Sequence, residues 1–308
     1  MKEHSRYELN AGSTLIKRNV KMFFKDKGTF FTSLITPIIL LVLYATFLYN
    51  VYEDSFRMAL PQGVPVEDSL ISGLVGGLLL SSLLAVSCVT VPFCANLFMV
   101  QDKVTGARAD FGIAPIKPRT MALGYYAATV INGLIISFVA MLIGFIYLSV
   151  IGWYLSFVDV LLFALDVVVL VLFGTALSSL VCYPLSSQGA MSAVGTIVSS
   201  GYGFICGAYM PISSFSEGLR IVLSFLPGTY GTSLLRNHAL KGVFEEMAEQ
   251  GLPTEAITAL QEVADCNLYF FDAKVETWAM YLMVVGAIVL LVAGFALLMA
   301  LSERKNRK

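Results

Sequence analysis

Six stretches of this chain stay apolar for about the 20 residues a helix needs to cross the hydrocarbon core of a bilayer. They cover about 30–50, 70–99, 121–150, 158–181, 190–210 and 278–301. The second is long and holds Gly76, Gly77 and Pro92, which predicts a bent or tilted helix. The first begins too far into the chain to be a cleaved leader, and no small-residue cleavage motif follows it. The pattern therefore predicts an all-α membrane protein with six transmembrane helices, and no repeat or second domain interrupts it.

Two other stretches are periodic without being long enough to span. In residues 13–27, Ile16, Val20, Phe23 and Phe24 recur at helical spacing with Leu15 beside them, while Lys17, Arg18, Lys21 and Lys25 fall largely on other faces. This predicts a basic amphipathic helix, capped by Ser13, lying in the cytoplasmic interface on anionic lipid. The second stretch, 212–277, is far longer than a turn requires. Its apolar part, 219–226, is too short to cross and is broken by Pro227-Gly228, which suits a helix that dips into the outer leaflet and returns. Residues 239–265 are acidic and polar. Gly251 and Pro253 predict two short helices there, the second carrying Ile257, Leu260 and Ala264 as an apolar stripe on an external cap.

Charge orients these elements. The basic residues gather before span one, between spans two and three, and in the tail; only Arg57, Arg220, Arg236, Lys241 and Lys274 fall on the other side. With an even number of spans, both termini are cytoplasmic. Composition narrows the class. The 308 residues are 57% hydrophobic and 13% charged, with a mean hydropathy of +0.78. An ordinary soluble domain is about a quarter charged, so a soluble enzyme is excluded. The net charge of -1 gives no reason to expect nucleic acid as a partner.

Candidate chemistry is sparse. Two histidines and five cysteines without a C-x-x-C pair argue against a metal centre or a Ser-His-Asp triad. No phosphate-binding loop is present, so any ATP chemistry belongs to another chain. Asp159 and Asp166 lie seven residues apart on one face of span four, Asp159 near the outer interface and Asp166 within the hydrocarbon. Asp166 reads either as a polar group in a substrate or proton path or as a structural hydrogen bond to a neighbouring helix, with no intramembrane Lys or Arg to pair with it. Residues 189–208 are rich in small side chains, among them Gly195, Ser199 and Gly203 around Tyr202, which serves close helix packing or leaves room along a path. Cys206 and Cys266 share the outer side, and spacing does not decide whether they pair.

The loop after span two then becomes recognisable. Asp102-Lys103-Val104-Thr105-Gly106-Ala107-Arg108-Ala109-Asp110-Phe111-Gly112-Ile113-Ala114-Pro115, followed by Lys117, Arg119 and Gly124, resembles the cytoplasmic loop of ABC type-2 transporter permeases. Gly207, Pro211, Phe215, Leu219, Ile221, Leu226-Pro227, Tyr230 and Leu235-Arg236 resemble that family's second motif, after span five. Asp102 stands where the family usually has Glu, Arg108 and Gly112 where it is commonly apolar, and Ser216-Glu217-Gly218 where a second Pro is expected.

The resemblance implies a permease of an ATP-driven exporter in the cell membrane, itself without catalytic, cofactor or metal residues. Two ATPase subunits would carry ATP and Mg, and a second permease chain, identical or paralogous, would pair with this one. Residues 101–112 would be the coupling helix, with Asp102, Lys103, Gly106 and Arg108 contacting the ATPase. Spans two and five would line the path or the chain–chain interface, the latter through Gly195, Ser199, Tyr202 and Gly203. Pro211, Leu226, Pro227 and Tyr230 would belong to a re-entrant outer gate. Few charges along the spans suit a hydrophobic or amphiphilic cargo such as a drug, lipid or lipid-linked molecule; polysaccharide precursors are the alternative within the family. An ion-coupled secondary transporter using Asp166 is the reading from another class, although no inverted repeat supports it.

Overall fold

The computed structural model describes residues 2–61, 66–107, 116–271 and 273–306. Its elements are α1 (Lys2–Lys25), α2 (Lys27–Leu43), a π-helical turn (Tyr44–Leu48), α3 (Tyr49–Ala59), α4 (Asp68–Val104), α5 (Pro118–Ile151), α6 (Phe157–Cys182) and α7 (Gln188–Ile205). After a short 3-10 turn (Ile212–Ser214) come α8 (Glu217–Ser224), α9 (Pro227–Glu249), α10 (Thr254–Val263), a hairpin of β1 (Tyr269–Phe270) and β2 (Ala273–Lys274), and α11 (Thr277–Asn306).

Among the described residues, five helical stretches are long and apolar enough to cross a membrane: Lys27–Ala59, Asp68–Val104, Pro118–Ile151, Phe157–Cys182 and Thr277–Ser302. The expected fifth span, 190–210, is the 18-residue α7, which stops at Ile205. Its many Gly, Ser and Thr residues leave it without a stretch as apolar as the best of those five, and at 1.5 Å per residue it is about 27 Å long.

α4 is the axis of the bundle. It is apolar on every side, and a helix of that kind is stable only when covered all round. Its most apolar stretch is entirely buried, packed against α2, α5, α6, α7 and α9. α4 is one continuous helix through Gly76, Gly77 and Pro92. The glycines there serve contact. A Cβ on Gly77 would meet the Leu240 side chain at 2.5 Å, and one on Gly174 of α6 would run into the Cys88 carbonyl of α4. Small residues let helices approach closely where no water drives them together.

The N-terminal amphipathic helix is longer than expected. α1 begins at Lys2, so Ser13 lies inside it and caps nothing. It ends at Asp26, whose carboxylate accepts the Thr29 N–H and caps α2. Protein covers much of its apolar face: α1 packs on α5, with Leu15 over Gly124, and Phe23 is sealed against Val91, Ala95, Phe98 and Ile136. Phe24 remains exposed. The first span also overruns its expected end at residue 50, continuing through the π turn into α3, where Tyr52 stacks on Tyr44 at 5.7 Å.

The expected division of 212–277 into a mixed part and an external cap is revised. No break occurs near residues 236–239. α9 is one helix from Pro227 to Glu249, buried against α4, α6 and α11 by Leu234, Leu235, Leu240, Val243 and Met247. It runs antiparallel to α6: Lys241 meets Asp159, His238 meets Asp166, and Gly231 meets Leu170. Gly251, at φ +85°, makes the turn into α10, as its position ahead of Pro253 predicts. Cys206 and Cys266 are both buried, free thiols.

Candidate functional site

The end of the bundle expected to face the cytoplasm is built where α4 runs out. The expected coupling segment, 101–112, is helical as the last turn of α4 to Val104, and Gly106 turns the chain at φ +82° with open space around its Cα. Arg108 and the rest of that segment lie outside the described residues. Asp102 and Lys103 are turned inward. The Asp102 carboxylate takes a two-pronged contact from Arg18 of α1, at 2.6 and 2.9 Å, and a third hydrogen bond from the Tyr125 hydroxyl of α5. That hydrogen bond with Asp102 is the main force holding the Arg18 guanidinium above its ordinary pKa. Lys103 donates to the Tyr183 and Leu185 carbonyls just past the C-terminal end of α6, where a helix presents partial negative charge. These two residues thus bind α1, α4, α5 and α6 together.

α7 divides into two faces. Thr36 of α2 donates to the Ser199 carbonyl at 3.1 Å, Gly195 approaches Leu97, Gly203 lies under Tyr209, and Tyr202 is buried beside Gly228. The four residues singled out from the sequence therefore lean towards their own bundle. Ser192, Ala193, Thr196, Ile197 and Ser200 form the exposed face. The neighbouring α2 exposes Phe31, Ile35, Ile38 and Val42. The most apolar stretch of α4, by contrast, is covered by the surrounding helices of its own chain and leaves α7 and α2 as the exposed faces on this side.

At the opposite end of the bundle, Pro227 opens α9 as its first residue, where the missing N–H costs nothing. The Tyr230 hydroxyl and the Thr229 hydroxyl return to the Ser224 and Leu223 carbonyls, which ties α9 to α8 across Leu226. Pro211 leads into a turn whose Ile212 N–H donates to Asp265 at 2.7 Å. Asp265 also receives Arg236 at 2.9 Å, and the same guanidinium donates to the Gly207 carbonyl and Ser82. Burial holds the Asp265 carboxyl above its ordinary range, with the Arg236 charge opposing it only in part.

Asp166 has a partner that sequence reasoning missed. His238 Nδ1 lies 2.6 Å from one of its oxygens, and the Tyr281 hydroxyl of α11 donates to the other. Asp159, in the first turn of α6, is covered by its neighbours. It closes a capping box with Ser156 and accepts Lys241 at 3.2 Å. One signal was present: His238 and Lys241 are one turn apart, and Asp166 and Asp159 are two turns apart, so facing helices can pair them. Arg236 with Asp265 had no such signal, because Asp265 lies past the end of α10, off any helix that could face α9 in register. Among the described residues no group of three His, Cys, Asp or Glu is placed to hold a metal ion.

Comparison with known proteins places this architecture. No curated protein matches the chain. Residues 11–239 match the family described as ABC-2 type transporter, a stretch that takes in the second part of α1, the first five expected spans, α8 and the first half of α9. With that match, the apolar helices and the two sequence motifs, the chain belongs to the ABC-2 type transporter family, as a multi-pass membrane permease.

Proposed function

We propose that this chain is the membrane-spanning half of an ATP-driven exporter that moves a hydrophobic or amphiphilic molecule out of the cell. Two such chains face each other in the cell membrane, both termini in the cytoplasm, and two ATPase subunits dock beneath them through residues 101–112. α7 serves as a short sixth span, and α8 with the first turns of α9 forms a re-entrant closure at the outer end. The observation that carries this reading is the exposed face of α7 beside α2. It is lined by small and hydroxyl side chains, next to a helix whose own outer face is aliphatic. Small residues allow a close but separable contact between chains, whereas the covered α4 does not.

Arg18, Asp102 and Tyr125 support the coupling role by transmission. They fasten the end of α4 to α1 and α5, so a push on the loop moves a braced unit rather than a free tail. Asp166, engaged by His238 and Tyr281, supports a holding role over the ion-coupled alternative.

The test is crosslinking. Cysteines placed at Thr196 and Ser200 should crosslink two chains, with a yield that changes when ATP is trapped on the associated ATPase. Crosslinks confined to single chains, with ATP-independent yield, would overturn the reading.

A further inference from the structure

We propose that the cavity between α8, α9, α10 and the β1–β2 hairpin binds an amphiphile with a cationic head group on the outer side of the membrane. The inference rests on the exporter reading and names the class of its cargo. The cavity has a volume of about 660 Å³, within the range that holds a drug-sized molecule. Its walls pair apolar surface with acid. Ile221, Leu268 and the rings of Tyr269 and Phe271 supply the first. Glu217 of α8 and Glu262 of α10 supply the second, against a single guanidinium, Arg220. The Asp265 carboxylate in the floor adds no free charge, because Arg236 neutralises it from behind.

The geometry of Glu262 suits a cation. The Tyr269 hydroxyl donates to its carboxylate at 3.1 Å, which sets an anionic group at the edge of an aromatic ring. An organic cation gains from both, from the carboxylate by charge and from the ring face by its quadrupole. Backbone strain points to the same place. Asp265 (φ 49°) and Phe271 (φ 53°) are, among the described residues, the non-glycine positions in the left-handed region, and both line this cavity. Such conformations cost about 1–3 kcal/mol each and gather where a site needs them. At Asp265 the strain brings the carboxylate to Arg236 and the Ile212 N–H. At Phe271 no burial offsets it: the ring is 62% exposed, touching only the edges of Phe225 and Phe270 among its aromatic neighbours. A strained aromatic held open at the mouth of a cavity is accounted for by a guest that covers it.

The experiment uses the full chain in lipid nanodiscs, with tetraphenylphosphonium as the probe and its anionic isostere, tetraphenylborate, as control. Calorimetry should show saturable binding of the cation in excess over the membrane and none of the anion. The Glu217→Gln, Glu262→Gln double variant should weaken cation binding by about tenfold, as expected for loss of partly exposed charge contacts. Phe271→Ala should weaken it too, and it decides the matter if the double variant does not fold. Absence of cation binding, equal binding of the anion, or unchanged affinity in both variants would overturn the proposal. ATP-driven uptake of the cation into inverted vesicles separates the two readings. Uptake that is unchanged in the double variant removes this site and leaves the exporter standing. Carboxylate-dependent binding without ATP-driven uptake keeps the site and removes the exporter.

Discussion

At the proposed inner end of the bundle, Arg18 grips Asp102 with 28% of the arginine side chain still exposed; at the proposed outer end, Arg236 grips Asp265 with 2% exposed. Both are arginine–aspartate pairs that tie distant segments together, yet they work under different dielectric conditions. In the inner pair the arginine reaches water while Asp102 is as covered as Asp265, so solvent screens the guanidinium and can rehydrate that partner alone if the other moves. The outer pair is sealed. Parting its members leaves an uncompensated charge inside protein. The inner end is thus suited to shift under a partner's pull, and the outer end to hold its shape around α9. Asp166 with His238 and Tyr281 lies between these extremes, buried like the outer pair but joined by hydrogen bonds whose charge depends on where the proton sits.

The contrast is testable by removing one member of each set. The largest effect is expected from Arg236→Met, which strands Asp265 and leaves the Gly207 carbonyl without its donor. About 3–5 kcal/mol of stability should be lost, read as a collapse of the thermal unfolding midpoint in detergent. Adding Asp265→Leu should restore a large part of it; no recovery would mean that the pair acts as more than mutual neutralisation. Next comes Asp166→Leu, which orphans His238 and the Tyr281 hydroxyl for about 2 kcal/mol. A loss as large as that of Arg236→Met would place Asp166 with the sealed pair rather than between the two. The smallest effect belongs to Asp102→Asn, at about 1 kcal/mol, and it should shrink further in high salt. A loss equal to the outer one, insensitive to salt, would break the comparison.

The residues that sequence reasoning found and those it missed differ in kind. Hydrophobic period is a local property, so the long apolar helices and the amphipathic α1 were readable in place. α7 was readable as helix but not in its length, since its glycines and hydroxyls blur where hydrocarbon ends. α9 was misdivided because its polar residues look solvent-facing along the chain. Arg236 and His238 are in fact buried against acids on other elements. The same limit applied to Asp102 and Lys103, whose charges suggested a docking surface while their partners, Arg18 and the Tyr183 and Leu185 carbonyls, lay about 80 residues away.

Sequence by itself determined that this is a helical membrane protein, because the bilayer imposes length and apolarity on each spanning segment separately. It also carried the family, through two short motifs. Tertiary structure alone decided which helix is the covered axis, which face of α7 remains open, and how each buried charge is neutralised. Those outcomes depend on pairings between elements, and a buried ion's partner is set by where the folded chain brings it, not by what stands beside it in sequence.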